Sequence, residues 1–224
     1  MSLKDLSESL GLPRTTTLRL ATTFERAGFL KRDPLTDRYT LGPVMLQLGA
    51  AASRQYPLHR IVRPEMVWLR NFSQETVNLY IPQDIYRVCI AQEESPQSVR
   101  QVIELGRSLP IWLGASGLIL LASMNPDKRT DILDRLVAMG NITDYVALTS
   151  TLRKVSDQGW ALTHGQRELG ASSLAVPIYS GTELVAALAI SGPTARFTED
   201  RVELFRMPLL ERSQDISSQL VFRS

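Results

Sequence analysis

Leu3, Leu6 and Leu10 repeat at helical spacing up to Gly11, and Ser2-Leu3-Lys4-Asp5 reads as a capping box that starts this helix. Beyond Pro13, which suits a first helical turn, Thr17, Leu20, Ala21 and Phe24 keep the same period as far as Gly28, a left-handed stop. The pattern predicts helix, short turn, helix. Phe29-Leu30-Lys31-Arg32 and Arg38-Tyr39-Thr40-Leu41 then read as two short strands around the turn residues Asp33-Pro34-Leu35-Thr36-Asp37. Pro43 opens an apolar, helix-forming segment, Val44 to Ala52, that stops before Tyr56-Pro57. It is either a core helix or an interdomain linker helix that also pairs subunits. A longer amphipathic helix runs from Leu58 to Phe72, with Ile61, Val62, Met66, Trp68 and Leu69 along it.

The period then changes from helical to alternating. Thr76–Ile81 and Tyr86–Ile90 are β-branched or aromatic segments around Pro82-Gln83-Asp84, a hairpin, and Ser98–Ile103 is a further strand candidate. Helices are expected over Leu113–Ser123, over Pro126–Met139 and near Thr149–Gly159. In the last third, Ser172–Tyr179 and Leu184–Ile190 are strands joined at Ser180-Gly181-Thr182, and Thr198-Glu199-Asp200 starts a closing helix. Strands and helices mix without a βαβ rhythm. That argues an α+β chain in which helices pack on an antiparallel sheet. Three regions follow: a helix-turn-helix with a β-wing over residues 1–42, a linker helix over 43–57 and a sensor-like domain over 58–224.

In a winged helix-turn-helix the second helix enters the major groove and a basic wing touches flanking phosphates. The outward face of that helix offers Arg14, Thr15, Thr16, Arg19 and Thr23, guanidinium groups and short hydroxyls that suit phosphates and base edges. Lys31 and Arg38 lie on the wing. A small helical subdomain with a β-hairpin is the plainer alternative. Net charge is only +2, yet residues 1–43 hold seven Lys/Arg against five Asp/Glu, so the whole excess falls on the expected DNA module.

The single Cys89 rules out an intramolecular disulfide and reads as a small buried hydrophobe. The two histidines, His59 at a helix start and His164 in a surface loop, make no metal-binding spacing, so neither metal nor cofactor is expected. No apolar run reaches the length of a membrane span and no signal-peptide core is present, which makes a cytoplasmic protein the expectation.

The order of features resembles the IclR family of bacterial transcription regulators over essentially the whole chain. The matching segments are Leu10-Gly11-Leu12-Pro13-Arg14-Thr15-Thr16 with Arg19 and Gly28-Phe29-Leu30; Arg38-Tyr39-Thr40-Leu41-Gly42; Gly106-Arg107-Ser108-Leu109-Pro110 followed by Ala115-Ser116-Gly117; Gly159-Trp160; and Leu174-Ala175-Val176-Pro177-Ile178 with Ala187 and Ser191-Gly192-Pro193. The resemblance implies a winged helix-turn-helix that binds double-stranded operator DNA, a linker helix, and a GAF/profilin-like domain that binds a small effector, commonly an organic acid or aromatic catabolite. It also implies homodimers through the N-terminal domains, often paired into homotetramers. A further helix is usual before the one at Leu3–Leu10. The sequence starts after it, so this first helix is expected to be missing and Leu3, Leu6, Leu10, Leu20 and Phe24 to be exposed or covered by a partner subunit. The family's frequent Lys after the Ala-Ser-Gly motif is Leu118 here.

Gly114-Ala115-Ser116 stands at an expected helix start, where unpaired N–H groups and the helix dipole attract an anion. Close helix-to-sheet packing is the competing account of these small residues. With the resemblance, the cluster becomes a candidate carboxylate site. Ser173 and Ser191 then fall where family members place pocket residues on two late strands, and Thr163 where a polar residue is often found. Trp112 either walls this pocket or sits in the core. Two other readings stay open: a ligand sensor without DNA binding, and a hydrolase using Ser116. The second fits poorly, because Gly114-Ala115-Ser116-Gly117-Leu118 lacks the second Gly of a nucleophile elbow.

Overall fold

The computed structural model describes the backbone of residues 1–55 and 57–221, and the side chains within those spans except at 52–57 and 59. The chain forms two compact units, Met1–Pro57 and Leu58–Ser224.

In the first unit, α1 (Leu3–Leu10) begins with the expected capping box: the Asp5 N–H donates to Ser2 Oγ at 3.2 Å and the Ser2 N–H donates to Asp5 Oδ2 at 2.7 Å. These bonds favour the charged carboxylate and lower the Asp5 pKa. The helix ends on Gly11 in the left-handed region, and α2 (Arg14–Arg26) follows with Pro13 at its N-cap rather than inside its first turn. Thr17 and Ala21 are buried, whereas Leu10, Leu20 and Phe24 are 55%, 38% and 48% exposed. Only half of the second helix's apolar stripe therefore packs inward. Strands β1 (Leu30–Arg32) and β2 (Tyr39–Leu41) pair antiparallel. Gly42 brings the wing back against the end of α2 so closely that a Cβ there would stand 2.2 Å from the Gly28 carbonyl oxygen. Helix α3 (Pro43–Gln55) completes the unit.

The second unit opens with α4 (Pro57–Ser73). His59 falls in its first turn, and the side chain lies outside the described residues. Strands β3 (Thr76–Gln83), β4 (Tyr86–Glu93) and β5 (Ser108–Pro110) come next, then helices α5 (Ala115–Ser123), α6 (Pro126–Ala138) and α7 (Tyr145–Gln158). Strands β6 (Ala161–His164), β7 (Ala171–Ser180) and β8 (Glu183–Pro193) precede a short 3-10 turn and α8 (Glu199–Val221). The six strands make one antiparallel sheet in the order β5-β4-β3-β8-β7-β6.

Three expectations need correction. Ser98–Ile103 is not a strand: side chains satisfy its backbone in place of a ladder, with Thr76 Oγ1 donating to the Gln101 carbonyl and the Ile103 N–H donating to Gln92 Oε1, both at 2.7 Å. The short strands β5 and β6 were not anticipated, because three or four residues are too few to show a period. Helix α7 starts at Tyr145, earlier than the polar pattern suggests, since Asp144 caps it by accepting from the Ala147 N–H at 2.8 Å.

Helices cover both faces of the sheet, and the strand alternation sorts the side chains. Ala175, Ala187 and Ala189 face α5, α6 and α7, while Leu174, Val176, Leu188 and Ile190 face α4 and α8. The small face lets a helix approach closely and the large face fills a conventional core. Cys89 is buried on the small face as expected, and burial pushes its thiol up to about 11.

Glu75 ties the start of the central strand β3 to the turn before α8. It is 1% exposed as a side chain and accepts from Arg196 Nε at 2.5 Å and Nη2 at 2.7 Å, while Nη2 also donates to the Val99 carbonyl at 2.9 Å. Removing Arg196 strands the buried Glu75 carboxylate, so Arg196→Ala is expected to cost roughly 3–5 kcal/mol. Replacing Glu94, which meets Arg100 at the surface at 3.0 Å, should cost less than about 1 kcal/mol. All three tryptophans lie in the second unit, so urea unfolding followed by their fluorescence measures both. Equal losses in the two variants would show that burial is not what makes the Glu75 pair matter.

Candidate functional site

The residues expected to contact DNA are all on the surface of the first unit except for the half-buried Thr16. Thr15, Arg19 and Thr23 recur at i, i+4 and i+8 and form one stripe along α2. Arg14 is exposed too, but begins a different row of the helix, so the structure does not bring it into line with Arg19. Thr23 Oγ1 donates to the Arg19 carbonyl at 3.0 Å, which leaves its oxygen as an acceptor facing outward. Among the described residues, Arg14, Arg19 and Lys31 belong to no ion pair. On the wing, Arg32 is held by Asp37 at 2.6 Å, while Arg38 reaches Asp5 at 3.9 Å with both side chains well exposed. Arg14, Lys31, Arg38 and the α2 stripe are thus among the cations and hydroxyls that the unit can present to a polyanion.

In the second unit, all six residues expected to bind an effector line one cavity. Antiparallel register sets Thr163 of β6 opposite Ser173 of β7, and Ser173 opposite Ser191 of β8, so three hydroxyls share one rung across three strands. Ser173 Oγ and Ser191 Oγ are 2.9 Å apart. The first turn of α5 points its N–H groups at this rung. The sequence suggests that those groups are unpaired, and here the structure differs: the Ala115 N–H donates to Thr163 Oγ1 at 3.0 Å and the Gly114 N–H to Gln166 Oε1 at 3.1 Å. A buried N–H left without an acceptor is costly, so neighbouring side chains occupy the position an anion would take. The recess is small, a cavity of about 40 Å³ that opens to solvent.

Local pattern did not reveal several of the cavity's residues. Tyr80 and Arg87 form a wall, and Gln101, Gln166, Arg167 and Glu168 form a rim. Arg87 is 2% exposed, and burial pulls its pKa down to about 10, which still leaves it charged at neutral pH. The available signal was its place in the strand Tyr86-Arg87-Val88-Cys89, where period-2 alternation puts it on the same face as the buried Cys89. The rim residues sit on loops distant in sequence and carried no such signal. Trp112 packs against the core and does not line the cavity, and Leu118 is core as well. His164, expected in a loop, ends β6 with Nδ1 2.7 Å from Ser172 Oγ. No group of three or more His, Cys, Asp or Glu among the described residues is placed to hold a metal ion.

Comparison with known proteins gives the same division of labour. The IclR helix-turn-helix domain matches residues 1–34, and the bacterial transcriptional regulator IclR C-terminal domain matches residues 50–218. The chain belongs to the IclR family of bacterial transcriptional regulators. The transcriptional repressor AllR of Salmonella typhi is 30% identical over 98% of this chain and 82% of its own length. The regulator KipR of Bacillus subtilis is 27% identical over 98% and 88%. Among solved structures, the IclR regulator of Alicyclobacillus acidocaldarius matches with a TM-score of 0.86 at 27% identity, covering 98% of this chain and 90% of that one. An IclR homologue of Microbacterium hydrocarbonoxydans complexed with 4-hydroxybenzoate matches with a TM-score of 0.82 at 25% identity, over 98% and 91%. These relatives are regulators of transcription, not enzymes, and no helix among the described residues of this IclR-family chain is long and apolar enough to cross a membrane.

The bond from the Ala115 N–H gives Thr163 a structural task that can be measured. Thr163→Val keeps the shape and removes the acceptor, so the second unit should lose about 1–3 kcal/mol against urea. An unchanged midpoint would mean that water or another group caps α5 instead.

Proposed function

We propose that this IclR-family regulator binds its operator through α2 and the wing and is controlled by a small organic acid held in the cavity at the start of α5. The observation that carries the effector half is that cavity: residues from α5, β6, β7 and β8, far apart in sequence, converge on one recess with polar groups at its centre. The acid's carboxylate lies against the backbone of Ala115 and Ser116, taking over the acceptor role that Thr163 and Gln166 fill in its absence. The hydroxyls of Ser173 and Ser191 fix the remainder. The binding of 4-hydroxybenzoate by the Microbacterium hydrocarbonoxydans homologue supports an aromatic acid or similar catabolite as effector. Such a protein works in the cytoplasm beside the chromosome, as a homodimer or homotetramer that presents two α2 helices to a symmetric site. Effector binding alters DNA affinity only by favouring one arrangement of the paired DNA domains, and α3 is the segment of chain that joins the two units.

Arg19 should read a base edge. Arg19→Ala is expected to lose on the order of 1–3 kcal/mol of specific binding in a gel shift with the promoter upstream of the gene, and to relax sequence preference. Replacing Lys31 or Arg38 should flatten the salt dependence with preference unchanged. Retained affinity and preference in Arg19→Ala would rule out this docking. For the cavity, a thermal-shift screen of organic acids on the full chain should find a stabilising ligand. Ser173→Ala should weaken that ligand by about 1 kcal/mol and Ala115→Trp should abolish it. Equal stabilisation of wild type and Ala115→Trp would place the site elsewhere.

A further inference from the structure

Arg87 carries a charge that the protein does not itself neutralise. Its guanidinium lies beneath the first turn of α5, where a Cβ on Gly117 would stand 2.8 Å from Nη1 and one on Gly114 3.4 Å from Nη2. Nη1 donates to the Pro110 carbonyl and Cζ sits 5.5 Å from the centre of the Tyr80 ring. Nε has no partner, and no Asp or Glu pairs with the group, among the described residues. What surrounds it adds positive potential. The N-terminus of α5 contributes the positive end of its dipole, and Arg167 is a second guanidinium nearby. Glu168, the acid on the rim, is turned to Arg167 at 3.2 Å. Removing an ion from water costs several kcal/mol, so such a group persists where something compensates it. Pro110 and Tyr80 do so only in part, and the open side of the guanidinium is the cavity.

We propose that Arg87 is the specificity-determining residue of the cavity, selecting carboxylates over their neutral analogues by meeting one carboxylate on its cavity side, next to the first turn of α5. The inference rests on the effector reading above and adds the residue that enforces the ligand's charge. A planar carboxylate matches the guanidinium fork, and the Arg87 charge that no carboxylate of the protein meets gives the acid an advantage over its neutral amide. The small residues Gly114, Ala115 and Gly117 are what allow the head group, the backbone and the fork to meet.

The test is titration calorimetry on the full chain, with acetate, succinate, benzoate and 4-hydroxybenzoate each measured beside its primary amide. Wild type should favour the best acid over its amide by about tenfold to a hundredfold, the range expected for a hydrogen bond to a charged group. In Arg87→Gln that ratio should fall to near one while the amide's own affinity holds. Arg87→Lys keeps the charge without the fork and should lose acid affinity severalfold relative to the amide, which serves if the Gln variant does not fold. An acid preference unchanged in either folded variant overturns the proposal and leaves the effector reading intact. If no acid binds wild type, the effector reading fails first and this inference with it.

Discussion

Helix α5 has almost no exposed side. Eight of its nine residues are buried, and the arrangement of the second unit follows from accommodating it. A helix enclosed this completely needs small residues wherever it meets backbone. Gly117 shows how tight the fit is, because a Cβ there would stand 2.2 Å from the Ile111 carbonyl oxygen. The sheet answers with Ala175, Ala187 and Ala189 on the facing side. Larger residues on that face would hold α5 away from the sheet, and the N–H groups of its first turn would no longer reach the hydroxyl rung.

The same constraint explains why a polar cavity exists beside an apolar core. At the N-terminus of a buried helix, backbone donors point away from the helix and need acceptors. Thr163 and Gln166 supply two, and the neighbouring Ser173 and Ser191 extend the polar strip across the sheet. Arg87 enters from β4 because a register shift in the β3–β4 pairing, between Leu79 and Tyr80, keeps the 87 and 89 positions on the α5 side while Ala91 turns to the other core. The result is a recess that is polar, partly open and lined by a buried cation.

The first unit is built by more local means. A capping box, a left-handed glycine and a three-residue wing place the α2 stripe without help from distant parts of the chain. Its core is correspondingly small, and much of its apolar surface stays open on Leu10, Leu20, Phe24, Leu41 and Leu46.

Sequence alone was enough for whatever depends on neighbours within a turn or a strand. The capping box at Ser2, the α2 face with Arg19, the wing, the long hairpins and the burial of Cys89 all follow from periodicity, turn chemistry and residue size. The small cluster Gly114-Ala115-Ser116 was legible as a helix start, and the family resemblance linked it to Thr163, Ser173 and Ser191. Tertiary structure decided the rest. Side-chain acceptors from distant strands turned Ser98–Ile103 from a strand into a loop, Thr163 and Gln166 occupied N–H groups that sequence left free, and Arg87 acquired its environment from Tyr80, Pro110 and α5. Burial and charge pairing are set by long-range contacts, and an arginine in a strand has no local pattern to show that no carboxylate will meet it.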